Sequence, residues 1–453
     1  MIVPTYRLLF WTGLLLVPLA ILVAAIPLVS ALFLGGLAGL FLILAIADAI
    51  LAFGRLDGIH LELPDVIRMS KDRRGEILIR IHNTQQTIKR LRIGLPFPQI
   101  FLSTSRDMTV ELPKDSEISS LPWPCIAQRR GNFRLDTGYL EASSPLSFWA
   151  YRKKIPIQIE IRVYPDLFKE RKDLAFLFQN RGIGIHSQRQ LGKGRDFEQL
   201  REYMPGDSYE DIHWKATAKR LFPITKVFQI ERTQEIYVII DASRMSTRKV
   251  NQINGRGQDR NIADTATMME RYISAALIMA LVTQRQGDLF GLITFSNNID
   301  RFIRAKSGKF HFDICRDALY TLQARKVTPD FSELLSFISL KIRRRALLIF
   351  LTSLDDPVLA DGFVQSIHIV SKKHLVMVNM INPGMADPLF ISPDVQSTDD
   401  IYWNLGGHII WDKLHDTEKR LKKRGIGFSI LDNEKMNIQL ISQYLNIKKK
   451  QIL

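Results

Sequence analysis

Asp241 is the side chain best placed to do chemistry. The run Glu235-Ile236-Tyr237-Val238-Ile239-Ile240 is nearly continuous in apolar residues, and Asp241 closes it. Such a run reads as a strand buried on both faces, and in open sheets built from such strands ligands sit at the carboxyl ends. Other chemistry finds little footing. There is no Gly-x-x-x-x-Gly-Lys-Ser/Thr loop to cradle a nucleotide, no His-Glu-x-x-His pair for zinc and no Gly-x-Ser-x-Gly turn for a serine nucleophile. The nine histidines are scattered, and His213 beside Trp214 reads as structural. Cys125 and Cys315 lie too far apart in sequence for a disulfide framework or a four-cysteine zinc site. The expectation is a protein that binds rather than catalyses.

Charge points to anionic partners. The chain has 62 Lys and Arg against 46 Asp and Glu, a formal net charge of +16. Clusters stand at Arg343-Arg344-Arg345, at Lys419-Arg420-Leu421-Lys422-Lys423-Arg424 and at Lys448-Lys449-Lys450. Such clusters suit anionic lipid head groups near a membrane. Nucleic acid would use the same side chains, but no nucleic-acid module is present, and a solvated basic face needs no ligand at all.

The elements that must position these residues fall into four segments. In 1–54, no charge occurs from Leu8 to Ala47. One helix needs about 20 apolar residues to cross a bilayer, so this run is read as two transmembrane helices, Tyr6 to Ala25 and Val29 to Phe53, turning near Pro27. Arg7 and Arg55 flank the pair while the turn has no charge, which places both termini and the soluble part in the cytosol, at the inner membrane. Asp48 falls near the inner end of the second span, where it can reach the interface. Segment 55–165 reads as a β-sandwich. Ile77, Ile79 and Ile81 alternate on one strand, and further strands are expected at Met108–Leu112, Asn132–Leu140 and Ile155–Tyr164. Segment 166–234 links onward. Segment 235–453 alternates apolar strands (Glu235–Asp241, Leu289–Phe295, Ala346–Leu351, Leu375–Ile381, Gly427–Leu431) with helical stretches, the pattern of a doubly wound α/β sheet.

The linking segment contains Arg201-Glu202-Tyr203-Met204-Pro205-Gly206-Asp207 and, after it, Ile212-His213-Trp214-Lys215-Ala216-Thr217-Ala218-Lys219-Arg220. Pro205-Gly206 marks a turn. Asp207 and Glu210 have capping-box spacing, so a helix is expected to begin there. As a clasp, the segment would pair Arg201 with Glu202 or Asp207 and pack Trp214 on the sheet. As a contact surface, it would offer Arg201, Tyr203, Pro205, Gly206, Asp207, Trp214 and Lys215 to a partner.

These motifs, with Arg129-Arg130-Gly131 and Val163-Tyr164-Pro165 ahead of them, resemble the bacterial domain-of-unknown-function 58 family over nearly the whole chain. The resemblance implies a von Willebrand factor type A-like α/β domain and partnership with a MoxR-type AAA+ ATPase. The chain would then be a non-catalytic membrane-anchored adaptor. A structural organiser of cell-envelope assembly is the alternative. It also implies a place for a divalent cation such as Mg²⁺, with an Asp-x-Ser-x-Ser loop, a later threonine and a later aspartate. Asp241, Ser243 and Thr328 match that pattern. Met245 replaces the second serine, Ser353 stands where the aspartate is expected unless Asp355 substitutes by a register shift, and Arg244 adds a positive charge. The departures favour a surface that works without a cofactor.

Overall fold

The computed structural model describes residues 1–25, 29–84, 88–103, 106–113, 116–168, 191–205, 207–229, 233–250, 266–383 and 398–450. The chain divides into two compact units, Met1–Asp166 and Leu167–Leu453.

The first unit opens with strand β1 (Ile2–Pro4), helix α1 (Tyr6–Ala25) and helix α2 (Val29–Ala52). The expected turn at Pro27 lies outside the described residues. Within α2, Gly35–Ala52 has a mean hydropathy of 2.2 and only 11% of that stretch is buried. The helix is long and apolar enough to cross a membrane, and its exposure separates it from an ordinary core helix. Strands follow as β2 (Ile59–Glu62), β3 (Val66–Ser70), β4 (Arg74–Asn83), β5 (Arg90–Gly94), β6 (Phe101–Ser103), β7 (Asp107–Glu111), β8 (Ile118–Ala127), β9 (Gly131–Ser143) and β10 (Trp149–Tyr164). One sheet runs β1-β10-β9-β5-β7 with β3 parallel to β10, and the other runs β2-β4-β8-β6. Ile77, Ile79 and Ile81 of one sheet share a core with Leu91, Ile93 and Leu140 of the other. The expected alternation is therefore observed. Strand β10 begins earlier than its apolar stretch, because Arg152, Lys153 and Lys154 lie in the paired strand alongside its inward residues.

Asp48 departs from expectation. Its side chain is fully buried, not at an interface with solvent. One carboxylate oxygen accepts from the Leu146 N–H at 3.0 Å, and the other from Ser144 Oγ at 2.5 Å and the Phe148 N–H at 3.2 Å. Trp149 Nε1 donates to the Ala45 carbonyl at 2.7 Å. The β9–β10 loop, with Ser147 in the left-handed region, thus wraps the end of α2 and supplies the donors that a carboxylate needs when it leaves water.

The second unit begins its described part with a long antiparallel pair, β11 (Leu191–Glu202) and, after the short helix α3 (Trp214–Arg220), β12 (Ile224–Gln229). The main sheet then takes β13 (Glu235–Asp241), helix α4 (Met268–Arg285), β14 (Leu289–Phe295), β15 (Ile299–Lys306), helices α5 (Lys309–Leu319) and α6 (Phe331–Lys341), β16 (Ala346–Leu351), helices α7 (Pro357–Ser366) and α8 (His368–Ser371), β17 (Leu375–Ile381), helix α9 (Thr398–Lys422), β18 (Gly427–Leu431) and helix α10 (Met436–Lys449). Strand order is β15-β14-β13-β16-β17-β18, with every pairing parallel except β14 with β15. Ile236, Val238 and Ile240 pack into one core and Tyr237 and Ile239 into another, so both faces of the sheet are covered. The fold is mixed α/β, with sheets of different construction in the two units. On β14, Gly291 is required by packing: a Cβ there would lie 2.4 Å from the Tyr237 ring.

Candidate functional site

Two places gather the residues singled out by sequence. The first is the carboxyl edge of the main sheet. β13 ends at Asp241, and its neighbour in the sheet, β16, ends one residue before Thr352. The pairing brings Thr352 Oγ1 to 2.6 Å from one Asp241 carboxylate oxygen, while the Ser243 N–H donates to the other at 2.8 Å. Asp241 is fully buried. Burial pushes its pKa upward, and the hydrogen bonds from Ser243 and Thr352 oppose that shift. Three loops close over the edge through backbone bonds: Ala242 N–H to Phe295 O, Arg325 N–H to Ala242 O and Arg244 N–H to Val327 O.

The other ligand candidates are arranged differently from the expected pattern. Ser243 Oγ accepts from the Met245 N–H at 3.3 Å and caps a short 3₁₀ turn. Thr328 lies on the loop that meets Arg244 but is exposed. Ser353 donates to Asp355 at 2.8 Å, and Asp355 also pairs with Arg248. Arg244 pairs with Asp356 at 3.3 Å. A hard cation wants oxygen ligands and a compensating negative charge. Here a single carboxylate has both oxygens already accepting hydrogen bonds, and guanidiniums pair with both nearby aspartates. The donor set does not fit a divalent ion. Among the described residues, no three His, Cys, Asp or Glu side chains come together as a metal group. Thr352 went unremarked in the sequence, although its signal is the one that picks out Asp241: a polar residue closing an apolar run.

The second place is the turn between β11 and α3. Arg201 pairs with Asp207 at 2.6 Å and donates to the Glu202 carbonyl, while the other Asp207 oxygen accepts from the Met204 N–H at 3.0 Å. The Met204 N–H and then Arg201 hold the Asp207 carboxyl below the usual range. Tyr203 stacks on Tyr209 with ring centroids 5.8 Å apart. Pro205 is exposed, and Gly206 lies outside the described residues. The helix expected at Asp207 starts later. A 3₁₀ turn covers Tyr209–Asp211, and His213 caps α3 by accepting from the Ala216 N–H through Nδ1 at 3.0 Å. Asp207 is diverted from capping because its carboxylate closes the preceding turn. Nor does Trp214 pack on the sheet: its surface is 69% exposed, with Lys215 exposed beside it.

The turn therefore splits its residues by role. Arg201 and Asp207 hold its shape, whereas Tyr209, Trp214, Lys215 and Leu221 face solvent. Leu221 is 93% exposed and adopts a left-handed backbone (φ 63°) as the C-cap of α3, a conformation that costs a branched residue about 1–2 kcal/mol. Neither burial nor backbone preference accounts for a leucine there. The two cysteines are buried, and burial pushes their thiols up to about 11 for Cys125 and about 12 for Cys315, far from thiolate chemistry at neutral pH.

Residues 199–387, from this turn through β17, match the family model described as "Protein of unknown function DUF58". That stretch, less than half of the chain, is similar to the DUF58 family. The matched segment holds both candidate sites, the turn and the Asp241 edge. No curated protein matches the chain. Among solved structures, a protein of unknown function from Porphyromonas gingivalis W83 is 13% identical with a TM-score of 0.17, over 24% of this chain and 49% of that one. The YadV chaperone is 13% identical with a TM-score of 0.16, over 24% and 52%. The GspB Siglec domain is 7% identical with a TM-score of 0.16, over 31% and 62%. Each match spans less than two thirds of the other chain, and likenesses of this size establish no shared fold.

Proposed function

We propose that this protein is a non-catalytic membrane-anchored adaptor, and that the turn before α3 is its contact surface for a protein partner. The observation that carries the reading is the solvent-facing group of Tyr209, Trp214 and Leu221 beside Lys215. Large apolar side chains left exposed together mark interaction sites, and aromatic residues dominate binding energies at interfaces. By the resemblance of its motifs, the partner is a MoxR-type AAA+ ATPase. A combined Trp214→Ala and Lys215→Ala change should leave the melting temperature of the protein unaltered, since both side chains face water and surface changes usually stay within about 0.5 kcal/mol. It should abolish co-purification of the ATPase from cells. Capture at wild-type level would remove the surface from consideration. Arg201→Ala, in contrast, should weaken the fold, because it strips Asp207 of its ion-pair partner.

The α/β domain is read as von Willebrand factor type A-like, with the Asp241 edge working without metal. Titration calorimetry with Mg²⁺ or Mn²⁺ should show no saturable binding below about millimolar. Tight binding abolished by Asp241→Ala would overturn this.

Anchoring is read as a two-helix hairpin with both flanks cytosolic. The support is local. Thr5, just ahead of α1, donates through Oγ1 and N–H to the Phe148 carbonyl, and the N–H of the same Phe148 donates to Asp48 at the end of α2. The chain thus leaves for α1 and returns from α2 at a single loop, as a hairpin requires. A reporter fused after Leu453 should be active only in the cytosol.

A further inference from the structure

Basic clusters that are remote in sequence meet on one edge of the main sheet. In a parallel sheet, each crossover helix runs back against the strands, so the turns that lead into the strands all lie at the amino edge. The turn into β16 carries Arg343–Arg345, the turn into β17 carries Lys372 and Lys373, and α9 ends on Lys422 before Lys423 and Arg424 lead toward β18. β16, β17 and β18 are consecutive in the sheet, with Leu347 paired to Leu375 and Met377 to Gly427. At about 4.8 Å per strand, the three turns fall along a line roughly 10 Å long. Lys373 Nζ reaches the Ile342 carbonyl at 3.3 Å, which ties the first two turns together directly.

All eight cations are exposed, and none of the three turns contains an acid. Lys422 pairs with Glu418 at 2.6 Å. Lys373 and Arg424 donate to the carbonyls of Ile342 and Val364, contacts that leave their charges uncompensated. His374 adds nothing at neutral pH: it is buried, and burial together with Lys373 pushes its pKa down to about 4. Cations at helix ends offset the helix dipole, but that effect is confined to the last turn and is served by one charge per helix. Most of these residues lie beyond the helix ends. Setting aside Arg345 and Lys422, which have partners of their own, the remaining charge needs another explanation.

We propose that this amino edge binds the anionic phospholipid head groups of the membrane into which α2 inserts. The occupant follows from charge and from tethering. A planar anionic surface matches a row of flexible cations with no shaped pocket, and each cation near such a surface is worth roughly fivefold in binding. A membrane helix in the same chain presents the domain to that surface at high effective concentration, so contacts too weak for a free domain become populated. The inference rests on α2 being a membrane helix and goes beyond the adaptor reading, because it gives the α/β domain a lipid-dependent docked state.

The test uses the full chain in nanodiscs. Discs of phosphatidylcholine alone are compared with discs in which about one third of the lipid is phosphatidylglycerol, and lysine modification by an amine-directed reagent is followed residue by residue. Lys372 and Lys423 should be modified at least fivefold more slowly in the anionic discs, the protection should vanish in high salt, and exposed Lys326 on the loop beside the opposite edge should be unaffected. The quadruple variant Arg343→Ser, Arg344→Ser, Lys372→Ser, Lys423→Ser should lose protection at the edge lysines that remain, Lys373 and Lys422, while melting like the wild type. If it melts lower, Arg343→Lys with Arg344→Lys must keep the protection. Equal modification in both kinds of disc overturns the proposal. So does protection that appears only when RNA or DNA is added. A chain that never enters discs of either kind fails at the α2 reading instead, a separate and recognisable result.

Discussion

Asp48→Ala should destabilise the first unit by roughly 3 kcal/mol or more, the largest effect expected of any single change outside the hydrophobic core. The carboxylate accepts from Ser144 Oγ and from the N–H groups of Leu146 and Phe148, and it is fully buried. Its removal leaves three donors facing a cavity, each worth about 1–3 kcal/mol when unpaired. Asp48→Asn should fall between alanine and wild type, because the Leu146 and Phe148 N–H groups sit on different carboxylate oxygens, so the amide oxygen still serves one of them while its NH₂ confronts the other. The measurement is thermal melting of the full chain in detergent, paired with proteolysis at the 144–149 loop. Alanine should lower the melting temperature and open the loop to cleavage. Wild-type resistance in the alanine variant would mean that the loop holds α2 by its Trp149–Ala45 contact alone.

This clasp could not be read from sequence, and the reason is physical. An aspartate ending an apolar run looks the same whether it meets water, lipid head groups or a loop nearly a hundred residues away. By contrast, β14, β16 and β17 were legible to the residue, because a strand covered on both faces is a nearly unbroken apolar run. β15 (Ile299–Lys306) was not. It is antiparallel at the sheet edge, partly exposed, and carries Asp300, Arg301, Arg304 and Lys306. β11 likewise holds Lys193, Arg195, Asp196, Glu198, Arg201 and Glu202, and only its pairing with β12 identifies it as a strand. Helix α6 follows its Asp330 cap, whose side chain accepts from the Glu333 N–H. That signal was present in Asp330-x-x-Glu333 and went unused.

The candidate sites divide along the same line. Asp241 was legible because position alone marked it, whereas the arginine–aspartate pairs around it depend on contacts more than a hundred residues apart in sequence. Arg244 and Arg248 are both about half exposed, and their partners Asp356 and Asp355 come from the loop after β16. The Arg244–Asp356 pair is partly exposed and of a kind that contributes little to stability, whereas Asp355 under Arg248 is largely buried.

Asp241 itself should separate stability from function. Asp241→Ala should cost about 2–4 kcal/mol, since it orphans the Thr352 hydroxyl and the Ser243 N–H in a fully buried place. Asp241→Asn should melt at or above the wild-type temperature at pH 7. Its carbonyl can accept from Ser243, its NH₂ can donate to Thr352, and it carries no charge to desolvate. The pH dependence has a definite sign. Burial raises the folded pKa of Asp241 above the unfolded value, so the native state holds the proton more tightly. Stability from this group is therefore present below the unfolded carboxylate range and is lost as pH rises through the folded pKa. The advantage of asparagine should accordingly shrink toward zero as the solution is acidified. Melting curves of the three proteins between acid and neutral pH decide the matter. An asparagine variant that melts as low as alanine would show that the charge itself holds the edge together. A stable asparagine variant that loses its partner would show the reverse: that this carboxylate is kept, against the preference of the fold, for what it recognises.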